Sequence, residues 1–188
     1  VLQEARRLQQ LANDILDVSR IESDNLKYEF TKVKINELIT HAIDSLKTEL
    51  NKEIEVILDL DLSDPELKIE ADRSRITQVI TNIVGNALKF TDKGSVKVEC
   101  RSFPEQNRFD IKVSDTGGGI PEDIMPRLFE KFVTKDHGQG GKKGSGLGLY
   151  ISKAILTAHN GSITVTNNTQ GGATFLISLP ISMQAVQP

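Results

Sequence analysis

One cysteine, Cys100, stands in 188 residues, so no internal disulfide can form and a multi-cysteine metal site is excluded; a reducing compartment is the natural reading. No apolar run approaches the roughly 20 residues that a helix needs to cross a bilayer. The chain opens on a charged amphipathic segment, with no signal-peptide pattern. An excess of one charge is also missing: 26% of residues are charged, yet the formal net charge is −3 and the charge runs are short and mixed. A nucleic-acid role driven by a basic surface therefore has no support. The expectation is a cytoplasmic chain with one core and an appendage, because 188 residues are too few for two large domains. It begins without methionine and in mid-pattern, which reads as a segment of a longer protein that a membrane part outside the segment could anchor.

What is present is periodic. Val1, Leu8 and Ile15 keep a seven-residue interval, and Leu11 and Val18 repeat between them with Glu4 as the polar member of that series. This is the spacing of a coiled-coil or bundle seam, with Ala5 and Ala12 beside it allowing close approach. Two readings stand: the stripe pairs with a helix outside the chain or a second copy, or it packs on the domain that follows. Ser23, Asp24 and Asn25 end the helix, and Leu26, Tyr28 and Phe30 alternate with charged residues as an extended linker over 25–35. A helix is expected from an Asn36 cap to about Leu50, with Ile39, Ala42, Ile43, Leu46 and Leu50 inward. Strands at 54–60 and 67–71 flank the turn Ser63-Asp64-Pro65, and Asp72 caps the next helix.

That helix contains "RITQVITNIVGNALKFT", residues 75–91. Ile76, Val79, Ile80, Ile83, Val84, Ala87 and Phe90 gather on one apolar arc, while Asn82, Asn86 and Lys89 form a polar ridge on its flank. Two amides and an ammonium suit an anionic, metal-bearing partner; taken alone, they equally make a solvated helix edge. A hairpin follows, with Val96, Val98 and Cys100 on one strand and Phe109, Ile111, Val113 and Asp115 sharing a face of the other, which places a carboxylate inward. Pro121 is expected to open a helix that turns Ile124, Leu128 and Phe129 inward and ends near Phe132. Residues 133–144, with four glycines and three lysines and no periodicity, read as a loop. A helix from Leu147 to His159, with Leu147, Ile151, Ala154, Ile155 and Ala158 inward, closes on Asn160-Gly161. The last hairpin, 162–166 and 173–179, turns around Asn167, Asn168 and Gly171, and 183–188 read as a tail. Hairpins grouped with helices between them give an α+β class: an antiparallel-rich sheet with helices on one face, preceded by a single long helix.

Two glycine clusters can carry chemistry. Asp115 precedes "TGGGI", and a buried carboxylate needs a donor such as the exocyclic amine of a purine, which glycines would let approach the backbone. An aspartate before glycines is also an ordinary tight turn. "GSGLGLYIS", 144–152, opens a helix whose unpaired N–H groups suit phosphates, or is simply a flexible lead-in. It lacks the Gly-Lys-Ser/Thr ending of a P-loop and does not follow a buried strand as a dinucleotide fingerprint does.

Together and in order, these pieces resemble sensor histidine kinases, within the ATPases that include gyrase, the ninety-kilodalton chaperone and mismatch-repair proteins. "QVITNIVGNALKFT" looks like the N box, "DTGGGI" the first glycine box, "LFEKF" the F box and "GSGLGLYIS" the second glycine box. "RLQQLANDILDVSRIES" looks like the second helix of the dimerisation and phosphoacceptor hairpin. The resemblance implies a two-layer sandwich of the Bergerat type, divided as 1–24 helix, 25–35 linker, 36–181 ATP-binding catalytic domain and 182–188 tail. It implies ATP and Mg²⁺ as cofactors, with Asn86 as the metal ligand, and Asn82 and Lys89 as catalytic candidates, Lys89 reaching the phosphates. Asp115 would bind the adenine amino group, Gly117 and Gly119 would shape its pocket, and Phe90 and Ile120 would wall it. Gly144, Gly146, Leu147, Gly148 and Leu149 would form the hinge and helix start beneath the phosphates, under a lid at 133–144. Implied partners are a second copy through the N-terminal helix, a phosphoacceptor helix and a response regulator.

Departures from the family pattern sharpen the expectation. Hydrolytic relatives carry a glutamate where Asn82 stands, so the site suits a nucleophile from outside better than water. Arginine is common in histidine kinases at the position of Thr134; Lys135, Lys142 and Lys143 are the cations left to meet the γ-phosphate. A serine or threonine often stands at Ala173, leaving Thr174 to make any link from that strand to Asp115. None of His41, His137 and His159 lies in the phosphoacceptor pattern, so the acceptor histidine is expected upstream of Val1. Two other readings follow from the same residues: a degenerate, ATP-gated interaction module without phosphotransfer, and a serine kinase of the anti-sigma type, which the N-terminal helix disfavours.

Overall fold

A computed structural model of the chain describes residues 2–47, 54–61, 63–134 and 144–182. Val1, Leu50, Lys135, His137, Lys142, Lys143, most of the 133–144 loop and the 183–188 tail lie outside the described residues. Helix α1 (Leu2–Glu22) leads through an extended stretch into β1 (Thr31–Lys34), α2 (Ile35–Lys47), β2 (Ile54–Asp59), β3 (Lys68–Ala71), α3 (Arg73–Phe90) and β4 (Gly94–Phe103). Then come β5 (Arg108–Asp115), α4 (Gly148–Ala158), β6 (Ser162–Asn167) and β7 (Ala173–Pro180). Five strands form one sheet in the order β2-β4-β5-β7-β6, parallel between β2 and β4 and antiparallel elsewhere. The mixed, mostly antiparallel sheet with helices on one face is the expected class.

Alternation in the strands divides the sheet into two chemistries. Val96, Val98 and Cys100 of β4 and Phe109, Ile111 and Val113 of β5 are buried beneath the helices. Their outward neighbours pair as charges, Lys97 and Lys112 with Glu99 and Arg101 with Asp59. The arc of α3 from Ile76 to Ala87 is buried as its spacing predicts, each isoleucine contributing about 2 kcal/mol by leaving water. Phe90 departs from it, 37% exposed at the helix end with the Lys89 ammonium 5.0 Å from its ring centroid.

Three local expectations change. Asn36 does not cap α2: Ile35 begins the helix, and Asn36 is buried with its Nδ2 donating to the Asp61 carbonyl at 3.0 Å. The linker's last residues, 31–34, form β1, paired antiparallel with β3 in a separate two-stranded sheet. No α-helix follows Pro121. Pro126 lacks an N–H, so the Glu122 carbonyl loses its helical partner and three-residue turns follow, with one 3₁₀ turn at Met125–Arg127.

The end of α4 is tied to the start of α3. Asn160 takes the left-handed conformation (φ 53°), and the Gly161 N–H donates back to Leu156 at 2.8 Å. His159, 1% exposed, accepts the Asp72 N–H on Nε2 at 3.0 Å, so its Nδ1 carries the proton shared with the Ile155 carbonyl at 2.8 Å. Asp72 in turn caps α3 through the Ser74 and Arg75 N–H groups and receives the Glu29 N–H from the linker. His41 is exposed on α2.

Candidate nucleotide site

The polar ridge of α3, the loop after β5 and the glycine-opened start of α4 line one cleft of about 1250 Å³. Eleven of the candidate residues meet there: Asn82, Asn86, Lys89, Phe90, Asp115, Gly119, Ile120, Gly144, Gly146, Gly148 and Leu149. Gly117 and Leu147 stand just behind the wall. Leu147, 1% exposed, anchors the start of α4 in the core, and Gly117 supports Asp115.

Asp115 ends β5 on its inward face, 6% exposed. The Gly117 N–H at 2.8 Å and the Ala173 N–H at 3.3 Å both donate to its Oδ1. The backbone of β7 thus supplies the link that a side chain at position 173 cannot. Thr174 does not make it: it points to the opposite face of the sheet, its hydroxyl 3.0 Å from that of Ser114. Gly117 is needed for close approach, since a Cβ there would lie 2.5 Å from the Phe90 carbonyl oxygen.

At the other end, the three ridge residues differ in what holds them. Asn82 donates to the Ser152 Oγ at 2.9 Å, and a Cβ on Gly148 would lie 2.3 Å from the Asn82 Oδ1. The glycine at the head of α4 therefore makes room for the Asn82 amide, and Ser152, one turn on and 1% exposed, orients it. Lys89 reaches the loop, its Nζ 3.1 Å from where a Gly144 Cβ would stand. The Asn86 side chain makes no hydrogen bond to another described residue. Among the described residues no group of three or more acidic, histidine or cysteine side chains could hold a metal. One amide oxygen opening on a phosphate-sized cleft fits Mg²⁺ that arrives with a nucleotide and keeps phosphate and water ligands, and does not fit a resident ion.

Sequence reasoning missed the acidic face of α1. Asp17 lies 3.1 Å from Arg75 and accepts from Gln78 at 2.8 Å, so α1 binds two polar residues of the first turns of α3, and all three line the same cleft. Asp14 accepts from Ser145 of the second glycine box at 2.8 Å. Both carboxylates are buried, while Leu8, Leu11, Ile15 and Leu16 are 38–62% exposed; among the described residues of the seam only Val18 is buried. The signal was there: Asp14 and Asp17 are spaced i, i+3 on a face that the heptad count passed over. Ser152 was legible only as a polar residue on the buried arc of α4.

Residues 71–183 match the family described as histidine kinase-, DNA gyrase B-, and HSP90-like ATPases. The chain is 34% identical over 187 residues to hybrid signal transduction histidine kinase D of Dictyostelium discoideum, covering 97% of this chain and 12% of that protein. It thus spans a small part of that relative. Among solved structures, full-length ShkA in complex with AMPPNP is 30% identical with a TM-score of 0.81, over 95% of this chain and 36% of that one. The catalytic domain of histidine kinase ThkA is 30% identical with a TM-score of 0.70, over 82% of this chain and 99% of that one. ThkA in complex with response regulator protein TrrA is 28% identical with a TM-score of 0.73, over 95% of this chain and 48% of that one. With its ordered boxes lining one cleft on the shared fold, the chain belongs to the histidine kinase-, DNA gyrase B- and HSP90-like ATPases, on the branch of the sensor histidine kinases.

Proposed function

We propose that this chain binds Mg·ATP in the cleft and passes the γ-phosphoryl group to a histidine on a dimerisation helix outside it. The observation that carries this reading is the pairing within one cleft of Asp115, its Oδ1 fixed by two backbone N–H groups, with the Asn82–Asn86–Lys89 ridge and the glycine-opened end of α4. Asp115 would take the adenine amino group. Asn86 would hold Mg²⁺, which supplies charge neutralisation at the phosphates. Lys89 and the N–H groups at the head of α4 would bind the phosphate oxygens, the positioning and charge stabilisation on which phosphoryl transfer depends. Asn82, an amide that cannot accept a proton from water, favours transfer to a better nucleophile over hydrolysis.

In this reading, 1–24 is the second helix of the dimerisation hairpin, 25–35 a linker and 36–181 the catalytic domain. The exposed face Leu8, Leu11 and Ile15 would join a second copy and the acceptor helix. A response regulator would receive the phosphoryl group, as the TrrA complex of ThkA suggests. Lys135, Lys142 and Lys143 remain the proposed γ-phosphate contacts.

The test is incubation with γ-labelled Mg·ATP. The chain alone should take up no acid-labile label, and a dimerisation hairpin supplied in trans should become labelled. Asn86→Ala should lower transfer at least a hundred-fold or so, the usual scale for losing a charge-stabilising group. Tight ATP binding without labelling of the hairpin would replace the kinase with the ATP-gated module.

A further inference from the structure

The turn between β6 and β7 contributes nothing to the cleft surface, yet it grips both ends of the loop that closes the proposed adenine end. Asn168 Nδ2 donates to the Asp115 carbonyl at 2.9 Å, and its Oδ1 accepts the Gln170 and Gly172 N–H groups at 3.0 and 3.1 Å. It thereby shapes the turn and fixes the first residue of the loop. Asn167 fixes the last. Its Oδ1 accepts the Ile120 N–H at 2.8 Å, and its Nδ2 donates to the Ile120 carbonyl at 2.8 Å. One amide thus satisfies both backbone groups of Ile120, as a paired strand would.

Steric fit reinforces this grip. Gly119 takes a positive φ of 63°, and a Cβ there would lie 2.8 Å from the Gly171 carbonyl oxygen and 3.0 Å from the Asn167 Oδ1. At Gly172 a Cβ would lie 1.9 Å from the Asp115 carbonyl oxygen. Loop and turn therefore meet at backbone distance at both ends of the loop, at Asp115 and at Gly119. Ile120, by contrast, lines the cleft directly.

We propose that Asn167 is a positioning residue for base recognition: by holding both backbone groups of Ile120 it sets the wall against which the purine lies, and so the angle at which the base meets Asp115. The proposal rests on the nucleotide reading above. Adenine presents an amino donor to the Asp115 carboxylate, whereas guanine presents a carbonyl oxygen at the same place and is repelled. That difference counts only while the base is held in one pose. A loop freed at Ile120 lets the base shift, and the adenine contact weakens while guanine has none to lose.

Calorimetric titration of the whole chain with Mg²⁺ and non-hydrolysable analogues of ATP and GTP tests this. Loss of two hydrogen bonds in Asn167→Ala should weaken the ATP analogue about ten-fold and the GTP analogue no more than about two-fold, so that base preference falls. Asn167→Asp keeps the acceptor for the Ile120 N–H and loses the donor, and should lie between. An unchanged ATP-to-GTP ratio, or equal weakening of both, would overturn the proposal while leaving the site reading intact. Failure of the unsubstituted chain to bind the ATP analogue would overturn the site reading and the proposal with it.

Discussion

Cys100 and His159 are both buried, and burial acts on each in the direction that keeps it neutral. The Cys100 thiol, fully enclosed under the helices, is pushed up to about 12 by loss of solvation, so the thiolate that reacts with alkylating reagents is withheld. Thiol titration should find no fast-reacting group in the folded chain and one group in urea; fast labelling of the native chain would contradict the burial. For His159, burial lowers the pKa below its ordinary 6.5 against the raising effects of the Ile155 carbonyl and Asp72. Between the folded and unfolded values the unfolded chain binds more protons. Stability is therefore fully held above 6.5 and falls as pH drops through that window, in which the folded ring stays neutral and keeps the bond from the Asp72 N–H while the unfolded chain takes up the proton. Urea midpoints at pH 7.5 and about 5 should show this loss, and His159→Gln should flatten it. That Cys100 faces inward was readable from the alternation of β4. The partner of His159 was not, because it lies 87 residues away.

Among elements, α1 binds the domain by charge and polar bonds more than by its apolar stripe. Asp17 and Arg75 have side chains only 10% and 19% exposed, so removing one leaves the other poorly solvated. Asp17→Ala should weaken docking of α1 by about 1–3 kcal/mol, read as faster amide exchange in residues 8–20 with the sheet unaffected. Uniform exchange across the chain would mean that α1 is part of the global folding unit. Heptad spacing announced a seam, and the exposed Leu8, Leu11 and Ile15 keep it available. What spacing does not encode is which face of a helix meets its own domain when both an apolar and an acidic stripe are present. The segment after Pro121 is the converse case: its apolar residues suggested a helix, and Pro126 interrupts one by its missing N–H, which a periodicity count ignores.

At the scale of the whole molecule, one core runs from β1 through the helices to β7, with Ile83 of α3 fully buried within it. Ile83→Ala should cost about 2–5 kcal/mol, as a lower urea midpoint with unchanged slope, because the cavity opens in the layer shared by sheet and helices. A cost below about 1 kcal/mol would mean that the layer closes around the gap. The sequence by itself determined most of the elements, the inward faces of α3, β4 and β5, and the boxes in their order, because periodicity and turn chemistry act within a few residues. Only the tertiary structure decided that Asn82 rests on Ser152 and Gly148, that Asp115 is held by a β7 backbone amide, and that Asn167 and Asn168 grip the first glycine box. Those bonds join residues 47 to 70 positions apart. Their geometry follows from sheet register and helix packing, which no local pattern specifies.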